Sequence, residues 1–306
     1  MISKVLGIHH VTAISGSARE NFRFYTQVLG QRLVKKTVNF DDPGVYHLYY
    51  GDRTGSPGTL MTFFPYGGPP ARRGSGRVAT SIYPVRDLNA WKERLGLHGV
   101  EFREEVRFGT EHVVFKDPHG MGLEMIESSE GEVGPARIQG ATLKVKRSAS
   151  EQALLELLGF ELEAEEGERR RFRVSGGDFL ELVETAEPGA TEGAGSVHHI
   201  ALRVKDQADQ LRWLSVLQSS GYRVSPVMDR NYFHSIYFRG PNGILFELAT
   251  DPPGMMVDES EEELGTKLML PGQYEKYREQ IELHLEPLQE TENVNLDGET
   301  GAKIVA

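Results

Sequence analysis

The chain contains no cysteine, so disulfide bonds, thiolate metal ligands and cysteine nucleophiles are all excluded. No apolar run is long enough to cross a membrane, and no segment near the N terminus resembles a signal peptide. The formal net charge of −11 argues against a nucleic-acid-binding surface, which would need clustered basic residues. These absences predict a cytoplasmic protein with neither membrane nor nucleic-acid partners.

Two copies of one dipeptide and a single carboxylate are the most informative residues present. His9-His10 lies near the start of the chain, and His198-His199 recurs far downstream. Glu247 interrupts the apolar run Gly-Ile-Leu-Phe-Glu-Leu, where a carboxylate needs a partner or a metal to offset its desolvation. Two histidines and one carboxylate on separate strands can bind a divalent metal and leave coordination positions open for chemistry.

Four degenerate repeats of about 60 residues organise the chain, each with a strand, a helix and then further strands. Their first strands are predicted to begin at Ile8, Val78, Ala141 and His198. The residues predicted to cap the first three helices are Ser17, Asp87 and Ser148. The apolar stripe predicted for the fourth helix is Leu211, Leu214 and Leu217. The predicted boundaries are 5–66, 76–128, 136–186 and 195–251.

A tail over residues 252–306 follows the repeats. Its predicted contents are one amphipathic helix, marked by Tyr274, Tyr277, Ile281 and Leu285, and a disordered end from about Gln289 onward.

Repeats two and four end in similar segments, which identifies a competitor for Glu247. Lys116–Glu124 matches Arg239–Glu247 at an offset of 123 residues, so Glu124 takes the position of Glu247 in repeat two. The first strands of repeats two and three carry no histidine, however. Repeats one and four are therefore predicted to form the metal site together, and Glu124 is not expected to be a ligand.

Strand side chains alternate between the two faces of a sheet. Alternation directs His10 and His199 to the open face and their neighbours His9 and His198 to the opposite one. A single histidine on a strand is more often structural than a ligand, and a single glutamate is more often a surface residue. The coincidence of His10, His199 and Glu247 at equivalent repeat positions favours a metal site over that simpler interpretation.

These repeats, with histidines on first strands and a glutamate on a last strand, resemble the vicinal oxygen chelate superfamily. That superfamily includes glyoxalase I, extradiol dioxygenases and bleomycin-resistance proteins. The resemblance covers residues 5–251 and is greatest to hydroquinone-type ring-cleaving dioxygenases. The segments that carry it are KTVNFDDP (36–43), YHLYYGD (46–52) and GTLMTFFP (58–65), with the tail after LMLP (268–271).

The resemblance implies an α+β fold of four βαβββ modules, paired into two cupped mixed sheets and followed by a C-terminal helical tail. It implies a metal held by His10, His199 and Glu247. The segment Leu60–Phe64 offers no carboxylate, amide or imidazole as a fourth ligand. A three-ligand set with open positions fits Fe(II) oxygen chemistry, with Mn, Zn or Ni as alternatives.

Further site residues also follow from the resemblance. Arg230 and Tyr237 match positions that lie over the metal and contact the substrate in similar dioxygenases. His9, His198 and Thr12 would orient the ligands through hydrogen bonds. Without the resemblance, Tyr237 would be interpreted as an ordinary strand aromatic and Arg230 as a surface turn residue.

The resulting prediction is an Fe(II)-dependent, extradiol-type ring-cleaving dioxygenase acting on a hydroquinone or catechol with O2. The interpretation is compatible with a homo-oligomer. One alternative is a glyoxalase-like isomerase or lyase using Zn, Ni or Mn, against which the missing fourth ligand counts. Another is a metal-free binding or resistance protein, against which the intact histidine–glutamate set counts.

Overall fold

The computed structural model describes residues 3–129, 131 and 134–289. Repeat one forms β1 (Ile8–Ser15), α1 (Ala18–Arg23), a π-helical turn (Phe24–Val28), β2 (Arg32–Asn39), β3 (Asp42–Gly51) and β4 (Leu60–Pro65). Repeat two forms β5 (Arg77–Val85), α2 (Leu88–Leu97), β6 (Phe102–Arg107), β7 (Thr110–Lys116) and β8 (Gly122–Glu127). Repeat three forms β9 (Gly140–Val145), α3 (Ser148–Leu158), β10 (Glu161–Glu166), β11 (Arg169–Arg173) and β12 (Phe179–Glu184). Repeat four forms β13 (Ser196–Val204), α4 (Gln207–Ser219), β14 (Met228–Asp229), β15 (Phe233–Arg239) and β16 (Leu245–Pro253).

Two mixed sheets of eight strands result. The first sheet has the order β14-β15-β16-β13-β1-β4-β3-β2, and the second sheet has the order β10-β11-β12-β9-β5-β8-β7-β6. Repeats one and four therefore share the first sheet, joined by antiparallel pairing of β1 with β13. Repeats two and three share the second sheet through β5 and β9. The predicted α+β fold of four βαβββ modules paired into two sheets is confirmed.

The repeat helices cover one face of each sheet and bury an apolar stripe there. Asp87 and Asp206 cap α2 and α4, since their carboxylates accept the backbone N–H of Ala90 and Asp209 at 2.9 and 2.8 Å. Beyond these caps, α2 buries Trp91 and Leu95, and α4 buries Trp213 and Leu217. The opposite face of each sheet is left open, and the first sheet carries its polar site there.

Two helix predictions need correction. The helix α3 is preceded by Arg147 at its N-cap, while Ser148 is its first residue and gives both its N–H and its hydroxyl to Glu184. On α4, Leu211 is 49% exposed, so the buried stripe runs through Trp213 instead. Hydrogen bonds to the Glu184 carboxylate engage Ser148 and keep it from capping the helix. On α4, the larger apolar area of Trp213 favours its burial over that of Leu211.

The tail packs along the outer strands of the first sheet. It contains short 3₁₀ turns at Met255–Val257 and Glu275–Tyr277 and one helix, α5 (Arg278–His284). This helix begins at Arg278, after the first two residues of the predicted apolar stripe, Tyr274 and Tyr277. Ile281 and Leu285 pack against Val38 of β2. Disorder was predicted from about Gln289 onward; beyond Gln289 itself, that segment lies outside the described residues. None of the helices within the described residues combines the length and apolarity needed to cross a lipid bilayer.

Candidate metal centre

Three strands of the first sheet converge on one buried point. His10 lies on β1 and His199 on β13, the antiparallel pair that joins repeats one and four. Glu247 lies on β16, opposite Ala201 of the parallel neighbour β13. All three side chains are buried, with exposed fractions of 1%, 5% and 0% respectively. The long-range pairing of β1 with β13 therefore unites residues that are far apart in sequence.

The donor atoms of these side chains form a compact triangle. His10 Nε2 lies 3.2 Å from His199 Nε2 and 3.4 Å from Glu247 Oε2, and His199 Nε2 lies 2.9 Å from the same oxygen. Glu247 Oε1 accepts a hydrogen bond from the hydroxyl of Ser235. Among the described residues, however, no donor is aligned in a hydrogen bond with Glu247 Oε2.

This donor set fits a divalent metal ion. Atoms that each lie about 2.1 Å from one ion, at roughly right angles, are about 3 Å apart, close to the sides of the triangle. Burial lowers the pKa of His199 to about 4, so its imidazole is neutral at pH 7 and keeps a lone pair for a metal. Burial opposes ionisation of Glu247, but the two imidazoles outweigh it and lower the carboxyl pKa well below its usual value. Two imidazoles and one carboxylate are ligands typical of iron(II) oxygenases.

His9 and His198, the outer histidines, contact the inner histidines His10 and His199, contrary to simple alternation. Ile8 pairs with Leu202 and His10 with Ala201, so His9 is an extra residue in β1. His198 is the extra residue in β13, because Thr12 pairs with His199 and Ala13 with Val197. Such β-bulges redirect side chains. The Nδ1 atoms lie 2.9 Å apart in His9-His10 and 2.7 Å apart in His198-His199.

A cavity of about 280 Å³ adjoins the inner histidines. Arg230 and Tyr237 line it, and Nε of Arg230 donates to the Tyr237 hydroxyl at 3.2 Å. Tyr237 pairs directly across β15 and β16 with Glu247, which brings its ring to 5.7 Å from that of His199. Burial is the main reason why the pKa of Tyr237 is raised, with the Glu247 charge adding to it, so the hydroxyl keeps its proton.

Thr12 does not reach the cavity but belongs to a hydrogen-bonded chain beside it. Its hydroxyl lies 2.8 Å from that of Thr62, which lies 2.9 Å from Nε2 of His47. Nδ1 of His47 lies 2.8 Å from the Tyr49 hydroxyl, and both residues line the cavity. The sequence patterns did not indicate that His47, Thr62 and Tyr49 belong to such a chain.

Ser235 was also missed. It lies two residues before Tyr237 on β15 and therefore on the same face as that residue and the facing Glu247. The register of β15 against β16 is the signal that would have found it. Gln210 of α4 supports this corner of the sheet from the other side, donating to the backbone carbonyls of His234 and Leu248.

Glu124 lies in the second sheet, remote from the triangle of donors. It is ion-paired with Arg107 and lies 2.9 Å from His112 Nδ1, and it accepts a hydrogen bond from the Thr80 hydroxyl at 2.6 Å. Burial raises its pKa, but the hydrogen bond with His112 and the charge of Arg107 outweigh this and lower the pKa to about 2. Within the described residues, the one group with suitable donor spacing for a metal is His10, His199 and Glu247.

Two cupped sheets of paired repeats with a histidine–glutamate centre define the class of protein. Residues 7–125 and 150–248 match the Glyoxalase/Bleomycin resistance protein/Dioxygenase superfamily, and the chain belongs to it. This confirms the resemblance drawn from the sequence.

Two relatives are similar over most of their length. The chain is 47% identical to MhqO of Bacillus subtilis (strain 168), named as a candidate ring-cleaving dioxygenase, with 94% of this chain and 98% of MhqO covered. It is 33% identical to a chlorohydroquinone/hydroquinone 1,2-dioxygenase of Sphingobium indicum (strain DSM 16413 / CCM 7287 / MTCC 6362 / UT26 / NBRC 101211 / UT26S), covering 91% of this chain and 95% of the other.

Solved structures agree with the fold. A candidate dioxygenase from Bacillus subtilis subsp. subtilis str. 168 superposes with a TM-score of 0.90 at 46% identity, covering 94% of this chain and all of the other. Glyoxalase I from Zea mays superposes with a TM-score of 0.63 at 16% identity, covering 80% and 92%. The second likeness concerns the fold alone.

Proposed function

We propose that this chain is an iron(II)-dependent ring-cleaving dioxygenase that inserts both atoms of O2 into a hydroquinone or catechol. The observation that carries the proposal is the triangle of His10, His199 and Glu247 beside a cavity containing Arg230 and Tyr237. When bound, iron(II) supplies open coordination positions and the electron transfer that a direct reaction of a phenol with O2 lacks. The names of the relatives support the same reaction class.

The absence of a fourth ligand favours this reaction over a glyoxalase-like one. Thr12 and Ala201 each lie five residues before the N-cap of the next helix, so they are equivalent. Glu247 pairs with Ala201, and Thr62 pairs with Thr12. Thr62 thus stands where a fourth ligand would be expected, and its hydroxyl is already bonded to Thr12 and His47. Three ligands leave more positions open for substrate and O2.

Arg230 and Tyr237 would bind and orient the ring. The guanidinium of Arg230 is largely buried and can stabilise a phenolate oxygen by charge-assisted hydrogen bonds. The Tyr237 hydroxyl keeps its proton because its pKa is raised, so it can donate a hydrogen bond to an oxygen of the reacting ring. Phe64 and Phe233 supply apolar walls that exclude water from the ring.

The outer histidines would fix the orientation of the ligands. If His10 and His199 bind the metal through Nε2, their Nδ1 atoms carry the protons. Each Nδ1–H can then donate to Nδ1 of the adjacent outer histidine, His9 or His198. Such a hydrogen bond selects the tautomer and holds the plane of the ring.

The test is metal analysis of protein purified without oxygen, followed by O2 uptake with methylhydroquinone and with catechol. We expect His10→Ala, His199→Ala and Glu247→Ala each to lose most of the iron and all O2 uptake, with an unchanged circular dichroism spectrum. Glu124→Gln is the matched control and should keep its iron.

Iron content near that of the wild type would remove the substituted residue from the ligand set. If iron-loaded wild-type protein takes up no O2 with methylhydroquinone and none with catechol, the proposed reaction on these rings is rejected.

A further inference from the structure

A second large cavity, of about 900 Å³, lies over the second sheet. We call it the second-sheet pocket; its floor includes Thr80, Glu124 and Thr142. Thr80 and His199 each lie seven residues before the capping aspartate of the next helix, so Thr80 takes the position of His199. Glu124 takes that of Glu247. The pocket therefore mirrors the candidate metal centre, but with a threonine in place of a histidine.

The buried carboxylates near this floor are already neutralised. Glu124 pairs with Arg107 and lies beside His112. Glu181, which is fully buried on β12 of the same sheet, lies 2.7 Å from Arg171 and 3.3 Å from Arg169. A cation would have to displace these arginines, so the pocket is not suited to a metal ion.

The lining as a whole is predominantly positive. Eight of the lining side chains are basic and four are acidic, which is the reverse of the chain as a whole, with its net charge of −11. Arg77 is half-buried and donates to the backbone carbonyl of Gly74 at 3.2 Å. Among the described residues, no carboxylate lies within 4.0 Å of its guanidinium, and Glu187 acts on its charge only from a greater distance.

Two buried hydrogen-bonding atoms in the pocket are also without partners among the described residues. They are Nε of Arg107 and the hydroxyl of Thr142, whose residues are 6% and 4% exposed. A buried polar group without a partner costs stability because it has lost its hydrogen bonds to water. Both atoms can donate to an anion and thereby recover that cost.

Crowding of positive charges in the pocket also favours binding of an anion. Burial, and then the charge of Arg73, lower the pKa of Arg77. Burial, and then the charge of Arg107, lower the pKa of Arg169. An anion between these guanidinium groups would offset their repulsion.

Part of the lining of the pocket is apolar. This apolar part comprises Phe24 and Val28 of the π-helical turn and Val100, Phe102 and Val114 of repeat two. A bare inorganic anion would leave these apolar side chains without contact. We propose that the second-sheet pocket binds a small organic anion, a carboxylate attached to an apolar ring or short chain, with the carboxylate between Arg77, Arg169 and Thr142.

Binding can be measured by isothermal titration calorimetry with benzoate as the probe and benzyl alcohol as the neutral comparison. Wild-type protein should bind one benzoate and should bind benzyl alcohol much more weakly. Arg77→Gln should weaken benzoate binding at least about tenfold, because a hydrogen bond to a charged group contributes about 1.5–3 kcal/mol. Lys144 also lines the pocket and is partly exposed, so Lys144→Gln is the second variant if Arg77→Gln does not fold.

Two control variants locate the site. Arg86→Gln removes an exposed charge just beyond the far end of β5 and should bind benzoate as the wild type does. Arg230→Met removes the arginine of the metal-centre cavity and should also leave benzoate binding unchanged. No benzoate binding by the wild type, an equal loss in Arg86→Gln, or a loss in Arg230→Met alone would each overturn the proposal. None of these outcomes depends on ring cleavage, so the proposed function is tested separately.

Discussion

Replacing Glu124 by glutamine should destabilise the fold without affecting the metal. The substitution keeps the size of the side chain and an oxygen that can accept from Thr80 at the floor of the second sheet. It removes the negative charge that pairs with Arg107 and faces His112. The expected variant therefore folds, retains iron and oxygen uptake, and unfolds at a lower urea concentration.

The size of the effect follows from the pKa of Glu124. Its ordinary value of 4.5 falls to about 2 in the folded chain, a difference of about 2.5. At 1.36 kcal/mol for each unit of pKa, the ionised carboxylate contributes on the order of 3 kcal/mol to the free energy of unfolding. Such a loss is large against the 5–15 kcal/mol that is typical of whole proteins.

The sign of the pH dependence is fixed by the same values. The folded pKa of Glu124 is lower than the unfolded one, so its contribution is fully present above about pH 4.5. It is lost as the pH falls through 4.5 towards about 2, where the carboxylate of the folded chain becomes protonated. Glu124→Gln should therefore reduce the acid sensitivity of unfolding in that window.

Urea unfolding followed by circular dichroism at pH 7 and at pH 3, with metal analysis of each sample, gives both readouts. Glu247→Gln is the matched comparison, because it places the same amide at the equivalent position of the first sheet; it should lose iron. Loss of iron from folded Glu124→Gln would refute the pairing of repeats one and four as the metal site. Unchanged unfolding at pH 7 would refute the assigned role of the ion pair.

Three further outcomes test the neighbours of the metal centre. Tyr237→Phe should keep iron but lower turnover about 10²-fold, the scale of one positioned proton donor; unchanged kcat in O2-uptake assays would exclude that role. Arg230→Met should mainly raise KM, because it removes a charge that binds the ring in the ground state; an unchanged half-saturation would contradict this. Ser235→Ala should weaken iron binding about 10-fold in chelator competition, since its hydroxyl holds Glu247, and equal affinity would show that the contact is dispensable.

Local patterns in the sequence indicated the repeats and the three candidate ligands, and the resemblance to the vicinal oxygen chelate superfamily implied how the modules pair into two sheets. Helix caps such as Asp87, apolar stripes and strand alternation act over a few residues, so they can be identified without knowing which strands pair. Repetition of those patterns then indicated four modules. The positions of His10, His199 and Glu247 within the modules predicted which strands would meet.

The surroundings of the site depended on contacts that no local pattern encodes. The bulges that turn His9 and His198 towards their neighbours arise from the register of β1 against β13. The chain from Thr12 through Thr62 to His47 requires β1, β3 and β4 to be adjacent. Side chains on different strands become partners only after the strands have paired.

The two glutamates at the ends of repeats two and four show most clearly what the sequence determined and what the tertiary structure determined. Glu124 and Glu247 stand in matching segments, and the sequence alone assigned different roles to them from the presence or absence of first-strand histidines. What neutralises Glu124 was decided by tertiary structure, because Arg107 and His112 reach it from β6 and β7. A buried carboxylate must be compensated. The sequence determined that the first strands of repeats two and three lack histidines for a metal. Only the folded chain determined that Arg107 balances the charge of Glu124 in place of a metal.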